Sequence, residues 1–239
     1  MRKIFVGCLW TLLFILVLVA VVSFTAIAKG WVGYMPPVED LQNPISRFAT
    51  QIYSSDMQIL GTWNYNKENR ICVEYKELPT SLVDALIATE DVRFREHSGI
   101  DFIALTRAIV KRGLLGQVSA GGGSTITQQL AKQLYSGKAH SVTERLLQKP
   151  IEWVIAVQLE RNYTKDEIIT LYLNYFDFLH NAVGIKTAAN VYFSKDPKDL
   201  TPTEAATLVG LCKNPSYFNP VHHPERCRER RNVVLMQME

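Results

Sequence analysis

Apolar residues fill the first part of the chain without interruption and then recur at regular spacing. Ile4 to Ala28 contains no charged residue, and about 20 apolar residues are enough for a helix to cross a bilayer. Because the basic pair Arg2-Lys3 precedes this segment, we predict that the N-terminus lies in the cytoplasm and the rest of the chain outside it. Ala26-Ile27-Ala28 also fits a signal-peptide cleavage site, but signal sequences have apolar cores of only about 7–15 residues. The pattern therefore favours a retained anchor over residues 4–28, after a cytoplasmic tail of residues 1–3.

Two β-rich runs follow the anchor. Ala49–Ser55 and Gln58–Tyr65 contain β-branched and aromatic residues and flank Asp56-Met57, which predicts a hairpin. Arg70–Tyr75 has the composition of a third strand. Together with the prolines that precede the hairpin, these runs predict a linker and β-rich lead-in over residues 29–78.

Beyond the lead-in, the apolar spacing is helical. Thr80–Phe94 has apolar residues three and four positions apart, so Glu90 is predicted near the end of one helix. Thr164 followed by Glu167 is a capping box that starts another helix. A mostly α-helical domain is therefore predicted over residues 79–239. The further predicted helices are Thr125–Tyr135 with Ser124 as its cap, one that starts near Lys149, Lys165–Asn174, Gly184–Phe193, Thr201–Leu211 and Glu225–Met238.

The segment Ile100–Gln117 is apolar around much of its circumference and has two interpretations. Its spacing is typical of a buried helix. Its basic residues Arg107, Lys111 and Arg112 instead suit an interfacial helix, whose charges meet lipid headgroups while its apolar face enters the membrane. Both interpretations stay open at the level of the sequence.

Composition and charge change this picture little. A net charge of +3 over 239 residues is small and is not gathered into one block, so a nucleic-acid partner is not expected. Hydrophobic residues make up 47% of the chain, which allows a sizeable core. Cys8, Cys72, Cys212 and Cys227 have no CxxC or metal-binding spacing, so the sequence supports no prediction of a disulfide.

Two polar motifs interrupt the helical pattern and suggest chemistry. EDVRFREHSG places Glu90, Asp91, Phe94 and His97 along one predicted helix face, where a base could stand beside recognition residues. GGGSTITQQLAK (Gly121–Lys132) places three glycines before a helix start, whose free N–H groups and positive dipole end attract anions. The second motif therefore predicts a site for a phosphate-bearing substrate.

Pro150 marks a third candidate region. Proline is common in the first turn of a helix, so we predict that a helix starts near Lys149. Glu152 would then lie in that first turn, where the helix dipole stabilises a carboxylate.

Five motifs in a fixed order carry a family resemblance. From Pro79 to Met238 the chain resembles the glycosyltransferase family 51 domain, the peptidoglycan polymerase module of class A penicillin-binding proteins and monofunctional transglycosylases. The motifs are EDVRFREHSGID (Glu90–Asp101), GGSTITQQLAK (Gly122–Lys132), KPIE (Lys149–Glu152), LERNYTKDEIITLYLN (Leu159–Asn174) and AANVYFSKDPKDLTPTEAATLVGL (Ala188–Leu211).

The resemblance implies a fold, a location and a reaction. The fold would be mostly α-helical and lysozyme-like, with two lobes around a cleft and a membrane-dipping jaw that matches Phe102–Leu115. The enzyme would cross the bacterial inner (cytoplasmic) membrane once, with its catalytic domain on the periplasmic or extracytoplasmic side. It would join lipid II to the growing lipid-linked glycan as a β-1,4 strand, invert MurNAc C1 and release undecaprenyl diphosphate. Other cell wall synthesis proteins are expected partners.

The resemblance also implies roles for individual residues. Glu90 matches the catalytic base that deprotonates the acceptor hydroxyl. Glu152 matches a second catalytic glutamate, which assists at the donor diphosphate through a divalent cation (Mg²⁺ or Mn²⁺) or through water; no organic cofactor is expected, and the metal ligands stay undefined. The expected substrate-binding residues are Asp91, Phe94, His97, Ser124, Thr125, Gln128, Gln129, Lys132, Arg145 and Lys149, with Tyr172 in support.

The sequence departs from the family pattern in places and leaves alternatives open. Gln148 stands where the family often has an arginine, and Arg145 or Arg161 could supply the missing charge. Because Ala49–Gly61 resembles the lead-in of bifunctional proteins, and neither S-x-x-K nor the K-T/S-G element of a transpeptidase domain occurs, we expect the N-terminal part of a longer penicillin-binding protein. A lysozyme-like muramidase and a non-catalytic lipid II-binding fragment are the alternative functions.

Overall fold

Helices account for most of the described residues. The computed structural model describes residues 2–33, 35–37, 41, 50–57, 59–63, 71–114, 122–135 and 142–239. A β-hairpin is formed by β1 (Thr50–Tyr53) and β2 (Ile59–Trp63). The α-helices are α1 (Arg2–Ala28), α2 (Thr80–Glu90), α3 (Phe102–Ala108), α4 (Ile126–Tyr135), α5 (Val142–Asn162), α6 (Lys165–Tyr175), α7 (Ile185–Phe193), α8 (Pro202–Lys213) and α9 (Pro224–Met238).

The first helix has the properties of a membrane anchor. Within the described residues, Ile4–Ala28 of α1 is the one stretch long and apolar enough to cross a membrane, and its large apolar side chains are mostly exposed. Its far end packs against α5, where the ring of Phe24 stacks on that of Trp153 at 6.2 Å between centroids. The apolar anchor therefore meets the domain directly at α5.

The predicted hairpin is confirmed, whereas the predicted third strand is wrong. β1 and β2 pair antiparallel, with Thr50 opposite Trp63. The described part of Arg70–Tyr75 forms no strand, because the Val73 N–H and carbonyl instead pair with the side-chain amide of Asn174 at 3.1 and 3.0 Å. A single side chain thus replaces a strand partner and fixes the lead-in to α6.

The core is built by helices that pack face to face. α8 lies against α2 and α9, while α4 lies against α5 and α6. Local capping sets two of these helices, since Thr164–Glu167 and Thr201–Glu204 form capping boxes at the starts of α6 and α8. The former confirms the predicted start. The fully buried core residues include Leu82, Leu86, Phe94, Ile126, Leu130, Ile155, Leu159, Ile168, Ile169 and Tyr172.

One predicted helix boundary is confirmed and another is wrong. Glu90, predicted near the end of its helix, is the last residue of α2, because Asp91 leaves the helical conformation with φ −159° and the next residues form a turn. α5 continues through Pro150 instead of starting there. A proline inside a helix removes one hydrogen bond and crowds the carbonyl four residues earlier, and burial of Ile155 and Leu159 on α5 offsets that cost. Glu152 therefore lies in the middle of α5, away from a helix end.

The buried interpretation of Ile100–Gln117 is wrong for its described helix. α3 buries none of its seven residues, and Phe102 and Ile103 are each about two-thirds exposed (67% and 66%). Ile109, in the π-helical turn Ile109–Leu114, is exposed as well. The described packing therefore leaves several apolar side chains of this segment uncovered.

Candidate active site

Glu90 is the last residue of α2, and both of its carboxylate oxygens have partners. Gln129 donates a hydrogen bond from Nε2 to Oε2 at 3.0 Å, and Arg230 places Nη2 3.6 Å from Oε1. Tyr172 in turn donates from its hydroxyl to Gln129 Oε1 at 3.1 Å. The carboxylate is oriented from three helices, yet 13% of the Glu90 side chain remains exposed. It is thus held in place and still reachable.

The groups around this carboxylate are mostly neutral. Burial raises the pKa of Tyr172 well above its usual value, and burial also raises the pKa of the Cys212 thiol, with the charge of Glu90 as a second cause. Burial lowers the pKa of Arg230, while the Glu90 carboxylate opposes that effect. Tyr172 and Cys212 therefore stay protonated near neutral pH, and Arg230 supplies positive charge.

Asp91, beside Glu90, links two segments of the site through its carboxylate. Its buried carboxylate accepts a hydrogen bond from the Ile126 N–H at 3.1 Å and lies 3.0 Å from His97 Nε2. It therefore joins the start of α4 to the turn that follows α2. The single helix face predicted for the first motif is replaced by this turn, and Phe94 is fully buried. Asp91, Phe94 and His97 build the frame of the site.

Two of the N–H groups at the start of α4, where the sequence predicts an anion site, have protein partners. The Ile126 N–H bonds to Asp91, and the Gln128 N–H bonds to Thr125 Oγ1 at 3.1 Å. Thr125, and not the predicted Ser124, therefore caps the helix. An internal carboxylate thus binds the first N–H of α4, and a phosphate site at this helix start stays a prediction.

Thr125 and Gln128 both point at one backbone carbonyl. Thr125 Oγ1 donates to Gly99 O at 2.7 Å and Gln128 Nε2 donates to the same oxygen at 3.3 Å. Gly99 has φ +93°, and a Cβ there would lie 2.9 Å from the Ala156 carbonyl. Both polar side chains are buried, so they fix the Gly99 turn against α5 instead of facing a substrate.

Glu152 forms the second charged centre. Its side chain is only 2% exposed, and Lys149 Nζ lies 2.8 Å from its Oε2. The approach lacks hydrogen-bond geometry, so this buried oxygen has no hydrogen-bond donor within the described part of the protein. Lys149 also donates to Ser124 Oγ at 3.2 Å. The predicted stabilisation of Glu152 by a helix dipole is wrong, and the neighbouring ammonium takes that role.

The remaining predicted residues are less enclosed. Lys132 is exposed on α4, and the side chain of Arg145 lies outside the described residues. Arg230, on the last helix, is the site residue that the sequence analysis missed; the only signal was an arginine in a helix with apolar neighbours. No group of three or more histidine, cysteine, aspartate or glutamate side chains that could hold a metal occurs within the described ranges.

This fold and this site define a class: a mostly helical domain attached to one apolar N-terminal helix, with a partly exposed glutamate, Glu90, and a buried one, Glu152, on either side of the start of α4. Comparison with family models then assigns the family. Residues 56–239 match the Transglycosylase model, and the chain belongs to the transglycosylase family. The family predicted from the motifs is thereby confirmed.

The similar curated proteins are penicillin-binding proteins. The chain is 44% identical over 171 residues to penicillin-binding protein 1F of Bacillus subtilis (strain 168), covering 72% of this chain and 23% of the relative. It is 40% identical over 204 residues to penicillin-binding protein 1A of Escherichia coli (strain K12), covering 85% and 23%. The chain thus spans about a quarter of the length of these relatives. Family and relatives together support peptidoglycan glycosyltransferase activity in cell wall synthesis.

Solved structures of similar proteins match the chain as well, and one of them is a penicillin-binding protein. The crystal structure of penicillin-binding protein 1A from Haemophilus influenzae aligns with a TM-score of 0.39 and 23% identity, covering 81% of this chain and 18% of that chain.

Proposed function

We propose that the domain polymerises lipid II, with Glu90 as the general base. The observation that carries this proposal is the Glu90 carboxylate, which is oriented by Gln129 and Arg230 yet partly exposed in a member of the transglycosylase family. A base must reach the proton that it removes, and its orientation must be fixed before the reaction. Glu90 meets both requirements among the described carboxylates of the site.

The reaction is a single displacement. Glu90 takes the proton of the GlcNAc 4-OH of lipid II as that oxygen attacks C1 of the lipid-linked MurNAc. The bond between C1 and the diphosphate oxygen breaks, and its electron pair leaves with undecaprenyl diphosphate. One displacement inverts the α-linked donor to a β-1,4 bond. Because negative charge develops on the leaving diphosphate, cationic groups on that side lower the barrier.

Lys149 and Lys132 are the described cations that we assign to the diphosphate. Lys149 Nζ is half exposed and already pairs with Glu152, so Glu152 keeps the ammonium in place beside Ser124. Lys132, exposed on α4, supplies a point charge. In this arrangement Glu152 acts through Lys149, and Arg145 stays a prediction for the same side.

A divalent cation would fit only with the diphosphate as its main ligand. Mg²⁺ commonly binds through one or two carboxylates together with substrate phosphates and water. Glu152 Oε2, buried without a hydrogen-bond donor in the described structure, is the oxygen that would hold it, although Lys149 stands close to the same atom. A bound Mg²⁺ or Mn²⁺ would supply charge relief on the diphosphate.

The exposed apolar side chains of α1 and of the segment around α3 support a location at a membrane. We propose that α1 crosses the inner membrane with the domain on its extracytoplasmic side, and that the exposed residues Phe102, Ile103 and Ile109 enter the lipid interface. The lipid-linked ends of both substrates would then stay in the bilayer while their sugars reach Glu90. Other cell wall synthesis proteins are proposed partners of the complete protein.

Polymerisation of labelled lipid II by the detergent-solubilised chain tests the proposal. We expect the parent and Glu96→Gln to make glycan, and Glu90→Gln to lose activity by about 100-fold or more, as removal of a general base does. Glu96 is the matched control because it is an exposed glutamate six positions away in the same motif. Glycan formation by Glu90→Gln would exclude Glu90 as the base. Binding of lipid II without glycan would favour the lipid II-binding alternative, and digestion of finished cell wall would favour the muramidase.

A further inference from the structure

Arg230 lies in an environment that is unfavourable for a guanidinium. It projects from α9, is only 9% exposed, and its buried Nε has no hydrogen-bond partner in the described part of the chain. Within the described ranges its one ion pair is with Glu90, at 3.6 Å from Nη2 to Oε1. Arginine is rarely buried without a close partner, because loss of hydration costs free energy. Fold stability therefore does not explain this residue.

The packing of α9 on α8 leaves room for this side chain. Gly210 of α8 faces the Arg230 stem, and a Cβ at Gly210 would lie 3.2 Å from Arg230 Cγ. The Arg230 guanidinium carbon also lies 6.0 Å from the centre of the Phe218 ring. The stem is thus held along α8, with the charged end directed at the last residue of α2.

The Arg230 guanidinium lies close enough to the Glu90 carboxylate for an ion pair but not for a hydrogen bond. At 3.6 Å the contact is an ion pair but is too long for a hydrogen bond. Among the described residues no donor binds Glu90 Oε1, whereas Gln129 binds Oε2. Oε1 can therefore accept the substrate proton while the arginine stabilises the charged carboxylate.

We propose that Arg230 is a positioning residue that aligns the Glu90 carboxylate for proton removal without occupying its proton-accepting oxygen. This inference rests on the proposed function of Glu90. The polar and titratable groups that face Glu90 are Arg230 from α9, Gln129 from α4, Tyr172 from α6 and Cys212 from α8. Of these four, Arg230 carries the positive charge.

The test compares kcat and KM of lipid II polymerisation for the parent, Arg230→Met and Arg230→Lys. Arg230→Met keeps the stem that packs on Gly210 and removes the charge. Because a misplacement of about 1 Å in a reacting group can cost about 100-fold in rate, we expect kcat of Arg230→Met to fall by about tenfold or more. KM should change less than about twofold because the arginine does not contact the substrate. Arg230→Lys should recover part of this loss.

Arg228→Met is the matched control. Arg228 lies on the same helix and pairs with Glu225 at the exposed surface, so its kcat and KM should equal those of the parent. An Arg230→Met enzyme with the kcat of the parent overturns the inference. If Arg230→Met does not fold, as judged by circular dichroism, the decision passes to Arg230→Lys, whose shorter cation should lower kcat by a smaller factor. A parent-like kcat of Arg230→Lys then overturns the inference.

Glu90→Gln, measured in parallel, separates this inference from the proposed function. An active Glu90→Gln refutes the proposed base itself. An inactive Glu90→Gln together with a parent-like Arg230→Met refutes only the role of Arg230.

Discussion

The hydroxyl of Tyr172 determines which end of the Gln129 amide faces Glu90. Tyr172 is fully buried, and its hydroxyl donates to Gln129 Oε1 at 3.1 Å. The amide nitrogen must then point the other way, where it donates to Glu90 Oε2 at 3.0 Å. We therefore predict that Tyr172→Phe, which removes one buried oxygen and keeps the ring, reduces catalysis through two successive hydrogen bonds.

The magnitude follows from those two bonds. Loss of the hydroxyl leaves Gln129 Oε1 without its donor, which should lower the free energy of unfolding by about 1–3 kcal/mol. The amide can then rotate, and Glu90 loses a hydrogen bond to a charged group, which contributes about 1.5–3 kcal/mol. Since each 1.4 kcal/mol of barrier is about tenfold in rate, kcat should fall about 10- to 100-fold, with KM for lipid II nearly unchanged.

Steady-state polymerisation and thermal unfolding of the same preparations measure both effects. Tyr163→Phe is the matched control, because the Tyr163 hydroxyl also donates one hydrogen bond, to Leu41 O at 2.6 Å, but stands outside the Glu90 network. Both variants should lose stability, and only Tyr172→Phe should lose kcat. A Tyr172→Phe enzyme with the kcat of the control would refute the reasoning.

Two further predictions concern stability. The pKa of Glu204 is lowered to about 2, chiefly by hydrogen bonds from Lys195. Because the pKa is lower in the folded state than in the unfolded state, ionised Glu204 stabilises the fold above about pH 4.5. This stabilisation is lost as the pH falls towards 2. The parent should therefore lose thermal stability over that range more steeply than Glu204→Gln, and equal slopes would contradict this. Gly99→Ala should lower the free energy of unfolding by more than about 1 kcal/mol in denaturant titration, because a Cβ at φ +93° meets the backbone of α5. Gly122→Ala is the control and should change the free energy of unfolding little, because a Cβ at this exposed glycine meets only one atom, at 4.0 Å.

Local sequence patterns predicted the elements whose causes are themselves local. The capping box at Thr164 fixes the start of α6 within four residues, and the long apolar run predicted α1 directly. The end of α2 near Glu90 was predicted, but its cause was not, because Asp91 leaves the helix to bind the Ile126 N–H, a partner that spacing does not reveal. Pro150 misled for a similar reason, since packing keeps α5 continuous across a residue that usually marks a helix start.

In the site, too, the sequence motifs predicted individual residues but not the contacts between residues that are distant in sequence. Motifs identified Glu90 and Glu152, but they gave no information on which groups would hold them. Arg230 is distant in sequence and belongs to a helix whose pattern resembles a solvated surface, so the position of its charge depends on how α9 packs against α8 and α2. The roles of Thr125 and Gln128 changed for a related reason, because both bind Gly99 O and neither faces outward.

Helix α4 connects the two charged centres. Glu90 is joined to it through Gln129, and Lys149, the partner of Glu152, is joined to the residue preceding its cap through Ser124. Asp91, the neighbour of Glu90, binds the first N–H of the same helix. Because a helix is stiff along its axis, a shift of α4 would displace the proposed base and the cation proposed for the diphosphate side together. Displacement at C1 needs the attacking and leaving oxygens in line, so one rigid element that positions both sides provides the orientation that such a reaction requires.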